Sequence, residues 1–215
     1  MPSKKSRPKP ERDALEPQRQ RGVLRVASLM EAAAAVIAER GFESATMAEI
    51  ATRAGAQIGS LYRFFPNKEV LADALMQRHR ELVDGAFGKI ESRAMSVSAH
   101  DLADALVDLL VELHPESRAM VALLDARSEW SAKPAEFRNA AIGHIARIVM
   151  LRAPHLRPET ARDVAVVLLH NMKTMKALTL EQGLATSAGA PAELREMNRL
   201  YLASKLLNPT HKSKG

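Results

Sequence analysis

The chain contains no cysteine. Disulfides, thiolate metal centres and cysteine nucleophiles are therefore excluded, and a cytoplasmic setting is expected. Nowhere do about 18 consecutive apolar residues occur, the length a helix needs to cross a bilayer, so no membrane partner is expected. The opening residues, MPSKKSRPKPERD, are basic and proline-containing with no apolar run behind them, unlike a secretory signal. No stretch alternates apolar and polar residues convincingly over strand length, and there is no internal repeat. Enzyme signatures are missing too: GxSxG, HExxH, phosphate-loop and GxGxxG patterns do not occur. His79, His100 and His114 lie too far apart to suggest metal ligands, and Glu112 with His114 lacks helical i, i+4 spacing. The expectation is a non-enzyme with no metal and no cofactor.

What remains is a chain of 215 residues, long enough for one large core or for a small domain sharing a helix with a larger one. Its net charge of +6 is unevenly placed, with 14 Lys and Arg against 9 acids through residue 80 and 17 against 16 beyond it. A basic first third is equally compatible with a solvated tail and becomes informative only beside a motif.

Helical periodicity dominates from residue 20 onward. Before it, Pro2, Pro8, Pro10 and Pro17 stand among charges, and residues 1–19 read as a flexible basic tail. Val23, Val26, Met30, Ala33 and Ile37 mark a first helix that stops at Gly41. Pro115, Pro134, Pro158 and Pro191 open later helices, because a first helical turn has no use for the N–H that proline lacks. The predicted class is all-α, with about nine helices over 20–40, 46–53, 57–64, 67–93, 99–113, 115–131, 134–153, 158–182 and 191–207. The predicted domains are 20–66 for a helix-turn-helix and 67–208 for an effector-binding and dimerisation domain, with 209–215 a second tail.

The segment GFESATMAEIATRAGAQIGSLYRFFPNKEVL, from Gly41 to Leu71, carries most information. Thr46 and Glu49 form a T-x-x-E capping box that starts a short helix with Met47, Ile50 and Ala51 facing inward. Ala54 and Gly55 supply a tight turn, and a second short helix carries Ile58, Leu61 and Tyr62 before Pro66 ends it. Two short helices joined by a glycine-containing turn are the geometry whose second helix enters a DNA major groove.

The spacing through Gly41-Phe42, Thr46, Ile50-Ala51, Ala54-Gly55, Gly59-x-Leu61-Tyr62-x-x-Phe65 and Asn67-Lys68-Glu69-x-Leu71 is similar to the TetR family signature, which this sequence resembles over about 50 residues. Gln57 and Phe64 depart from it, where a small residue and His or Tyr are common. The resemblance implies a DNA-binding transcription regulator: a homodimer on an inverted-repeat operator in double-stranded DNA, released by a small-molecule effector. The alternative is an architectural or division-control factor of the same fold without an effector. Tyr62 is then expected at a phosphate, and so is Lys68, whose cation at a helix start opposes the dipole. Thr46 is first a cap and second a phosphate contact. Gln57, Ile58, Ser60 and Arg63 are the expected base readers, although Arg63 could touch only phosphate and Ser60 could be a solvated face. Gly59, costly inside a helix, suggests close approach of the helix backbone to DNA or to the first helix.

In the rest of the chain, Val164 to Leu169 is an apolar run, and a helix burying every side needs two partners. With the final helix, the resemblance implies a four-helix dimer interface through Val164, Val167, Leu168, Met197, Leu200 and Tyr201. An apolar effector would then sit among Phe87, Leu106, Leu110, Met120, Leu124, Trp130, Ile145, Met172 and Met175, with Arg127, His144 and His170 as polar anchors. The same residues at helical spacing also suit a plain core.

Overall fold

The computed structural model describes residues 20–126, 133–180 and 189–207. Among the described residues nine helices follow one another: α1 (Gln20–Arg40), α2 (Met47–Arg53), α3 (Ile58–Phe64), α4 (Lys68–Arg93), α5 (Ala99–Glu112), α6 (His114–Ala126), α7 (Lys133–Arg152), α8 (Pro158–Leu180) and α9 (Ala190–Leu206), with no strand. Each boundary that falls on described residues matches the expected span to one residue. The offsets at α2 and α3 arise because Thr46 and Gln57 are caps with extended backbone, not first helical residues. None of the helices is long and apolar enough to cross a membrane.

The chain forms two compact units. The first takes in the described residues through Arg78 together with Arg118–Ala126, and the second His79–Ser117 with the described residues beyond Ala126. Thus α4 and α6 each contribute to both. In the first unit, Leu29, Ala33 and Ile37 of α1, Phe42, Ile50 of α2, Leu61 of α3 and Leu71 of α4 are sealed from solvent. Gly41 at φ 77 ends α1 and Gly55 at φ 57 makes the turn between α2 and α3, a left-handed backbone that favours glycine at both places.

The second unit has a larger core, in which Phe87, Leu102, Leu106, Ile145, Ile148, Leu168 and Met172 belong to one cluster. Helix α7 packs on α8, α8 on α5, and α5 on α9. The last of these contacts is unusually polar. Arg195 grips Asp108 with bonds of 2.6 and 2.8 Å, and one turn along, Arg199 grips Asp104 at 2.9 and 2.7 Å. Matching i, i+4 spacing on both helices lets two planar forks meet two carboxylates. The Arg199 bond, followed by the attraction of both arginines, holds the Asp104 carboxyl below its usual range against the opposing effect of burial. On the other side of α9, the fully buried Asn198 accepts from Asn171 of α8 at 2.9 Å and donates to Leu194 O at 2.7 Å.

Candidate nucleic-acid interface

The two short helices are fixed by local chemistry. Thr46 Oγ1 accepts from the Glu49 N–H at 3.2 Å, and Glu49 Oε2 accepts from the Thr46 N–H at 3.3 Å. This reciprocal cap satisfies two of the donors that a helix start leaves open. Helix α2 is then clamped to α1 by crossed ion pairs. Arg53 bonds both oxygens of Glu39 at 2.6 Å, and Arg40 Nε lies 3.1 Å from Glu49. The hydrogen bond from Arg53 holds the Glu39 carboxyl below its ordinary range. After the turn, Leu61 and Phe65 are the buried anchors of α3 and its end.

With Leu61 inward, α3 turns a specific set of residues outward. Ile58 is 46% and Tyr62 48% exposed, large apolar surfaces that a monomeric core would normally cover. Gln57 is exposed at the N-cap, yet its side chain makes no capping bond. Arg63 is exposed with its guanidinium 5.9 Å from the Phe64 ring centroid, and Ser60 is half-buried. A Cβ added at Gly59 would meet nothing within 4 Å. Close packing against α1 is therefore not the reason for this glycine, and of the two explanations the sequence offered, only an outside partner remains.

Lys68 behaves differently from expectation. Its ammonium donates to the carbonyls of Phe42, Glu43 and Ala45 at 2.7, 3.0 and 3.1 Å, and stands 4.5 Å from the Phe42 ring centroid. The negative partner inferred from its place at a helix start is backbone oxygen of the same domain. The N-cap of α4 is Asn67, whose Oδ1 accepts from the Val70 N–H at 2.7 Å.

Residues 29–75 match the family model of the bacterial regulatory proteins of the tetR family. The N-terminal domain is a tetR-family DNA-binding domain. A relative of this chain is the HTH-type transcriptional repressor KstR2 of Mycobacterium tuberculosis, 39% identical over 71 residues. That match covers 29% of this chain and 36% of the relative, so it spans about a third of the relative's length. Among solved structures, a transcriptional regulator from Aquifex aeolicus superposes with a TM-score of 0.64 at 16% identity, covering 84% of this chain and 98% of that one. FadR of Bacillus subtilis, solved in complex with stearoyl-CoA, gives a TM-score of 0.59 at 17% identity over 84% and 97%. The helix-turn-helix followed by a helical domain is thus the fold of tetR-family regulators.

Beyond the tetR-family domain, the structure corrects part of the expected dimer surface. Val164 and Leu168 are 2% and 1% exposed within the chain's own core, so neither is available to a second copy. The outward faces carry Val167 at 42%, Met197 at 49% and Leu200 at 60%, with Tyr201 half-buried beside them. The run from Val164 to Leu169 is therefore not buried all round: Val167 points away from the core.

The expected effector residues are also dispersed. Phe87, Leu106, Ile145 and Met172 lie in the second unit's core cluster and Leu110 packs against it. Met175 is buried on α8, and Met120 is buried on the stretch of α6 that belongs to the first unit. Arg127, Trp130 and the Leu124 side chain lie outside the described residues. His144 stacks on Phe87 with centroids 4.9 Å apart and planes 3° from parallel. Arg147 lies 2.6 Å from its Nδ1 and Asp84 2.8 Å from its Nε2. Because guanidinium only donates, Nδ1 accepts and the Nε2 proton goes to Asp84, so both ring nitrogens are satisfied within the chain. His170 is exposed, with Nδ1 bonded to Val166 O at 2.8 Å, and does not anchor a ligand in the core.

The Arg–Asp forks between α5 and α9 escaped sequence reasoning. Their signal was there: acids at 104 and 108 on an otherwise apolar helix, and arginines at the same spacing at 195 and 199.

Proposed function

We propose that this protein is a homodimeric, sequence-specific transcription regulator of the cytoplasm, a repressor that leaves an inverted-repeat operator when an apolar small molecule binds its second unit. The observation that carries the DNA reading is the outward face of α3, where Ile58 and Tyr62 are half exposed around a glycine with open space at its missing Cβ. A surface of this kind suits a groove floor better than water. Gln57 can pair bidentately with adenine, Ile58 can meet a thymine methyl, and Arg63 can pair with guanine. Ser60 contributes at the helix edge. Tyr62 and Thr46 would contact phosphate, which positions the helix without reading sequence.

A helix of seven residues reads few base pairs, so a second copy is needed for selectivity, and two-fold symmetry in the protein implies a palindrome in the DNA. Val167, Met197, Leu200 and Tyr201 supply the self-complementary face. Release requires only that the effector bind more tightly to the arrangement in which the reading helices are misplaced. The stearoyl-CoA complex of the FadR neighbour supports a bulky, largely apolar effector. Selection of preferred sites from a random DNA pool tests the proposal: an enriched inverted repeat is the expected product, and a pool without enrichment refutes it.

A further inference from the structure

A lysine at the start of a helix sits in an unfavourable field, because the first turn presents N–H groups of the same sign. Lys68 is such a residue, and its ammonium resolves the conflict by turning to carbonyl dipoles elsewhere. Its three N–H bonds match in number the three carbonyls of Phe42, Glu43 and Ala45 that converge on it. The aromatic face of Phe42 at 4.5 Å adds a further attraction. Two of these three bonds are partly buried, which strengthens them relative to a solvated contact. With all of its donors engaged, this side chain has none left for phosphate.

The carbonyls belong to the turn between α1 and α2, and Thr46, the cap of α2, follows directly on Ala45. One ammonium thus ties the first turn of α4 to the turn that launches the helix-turn-helix. We infer that Lys68 is a positioning residue, which sets the placement of α2 and α3 by gathering the carbonyls of Phe42, Glu43 and Ala45 and makes no contact with DNA itself. This rests on the reading of α3 as the helix that enters DNA. Any displacement of the first turn of α4 is passed to the turn before α2 through those bonds, so Lys68 is also the point at which the head senses α4.

The test compares wild type, Lys68→Met and Lys68→Arg, each assayed well below its melting temperature on the preferred site and on scrambled DNA across a salt series. Methionine keeps the length of the stem but removes the donors; arginine keeps the charge, but its planar fork does not fit three converging oxygens. Both variants should lose about tenfold or more in the ratio of preferred to scrambled affinity, the scale of one lost charge-assisted bond, with the salt slope unchanged. A phosphate contact would instead flatten the slope of Lys68→Met by about 0.9 while Lys68→Arg kept it, and that result overturns the inference. So does a lower melting temperature with the affinity ratio intact. Should the variants fail to fold, the wild-type ammonium decides: its protons, read by nitrogen-detected magnetic resonance, should stay shielded from solvent exchange on the same partners when DNA is added, and their transfer to a new partner refutes the assignment. A wild-type chain with no preferred DNA site would refute the DNA reading alone, and the ammonium measurement would still judge Lys68.

Discussion

In the first unit Arg53 reaches back 14 residues to Glu39 and Lys68 reaches back 26 to Phe42, whereas in the second Arg195 meets Asp108 across 87 residues and Arg199 meets Asp104 across 95. The surfaces differ in the same sense. The head gathers its outward residues on one short helix, while the second unit assembles its outward apolar face from Val167 on α8 and Met197 and Leu200 on α9. A small domain closed by nearby contacts presents its function in one stretch of chain; a larger one distributes it over helices that only the fold brings together.

The sharpest way to break this comparison is a pair of neighbouring charges on α8. Leu168→Asp places a carboxylate without a partner in the second unit's core and should cost more than about 3 kcal/mol, read as loss of the cooperative melt. Val167→Asp, one residue away and 42% exposed, should leave the melt nearly unchanged and produce a monomer by light scattering. If Val167→Asp remains a dimer, the outward α8–α9 face is not where two copies meet.

A smaller effect is expected in the head. Gln57→Ala removes an exposed amide with no capping duty, so stability should hold while the preferred DNA site loses about 1 to 3 kcal/mol and scrambled DNA much less. Equal losses on both DNAs in a titration would move Gln57 from reading to anchoring.

These two predictions differ in how they could be reached. In the head, the T-x-x-E cap, the glycine turn and the alternation of Leu61 with Ile58 and Tyr62 were enough to orient α3, because each constraint lies within a few residues of its partner. For α8, the apolar run from Val164 to Leu169 showed that the helix is heavily covered but not by what. Val164 and Leu168 proved to face the chain's own core, a distinction that depends on where α5, α7 and α9 stand. Lys68 was legible as an anomaly of charge at a helix start, yet its resolution by three carbonyls was not, since backbone acceptors leave no trace in side-chain pattern. His170 was misplaced for a similar reason: helical spacing alone does not say which face of α8 meets solvent.

The smallest effect separates the units by acidity. Asp104 has a native carboxyl held below its ordinary value by Arg199, so the unfolded chain binds its proton first as pH falls. The stabilisation is complete above the free Asp range, about 3.9, and is lost as pH drops through that value toward the lower native one. Melting of the second unit should therefore fall off below about pH 4, and Asp104→Asn should lower the melting temperature at neutral pH while removing this share of the acid limb. An unchanged acid limb in the variant would assign the forks no part in holding α9.

The measurement that bears most directly on the DNA reading uses two matched glycines. Gly59 on α3 and Gly88 on α4 are both exposed, both within helices, and both have nothing within 4 Å of an added Cβ. Alanine at either site should raise stability by about 0.5 to 1 kcal/mol through helix propensity alone. The account predicts that Gly88→Ala melts higher and binds the preferred DNA site as wild type does, whereas Gly59→Ala melts higher and binds it more weakly, because its methyl meets the groove. Undiminished affinity in Gly59→Ala would contradict the placement of α3 against DNA.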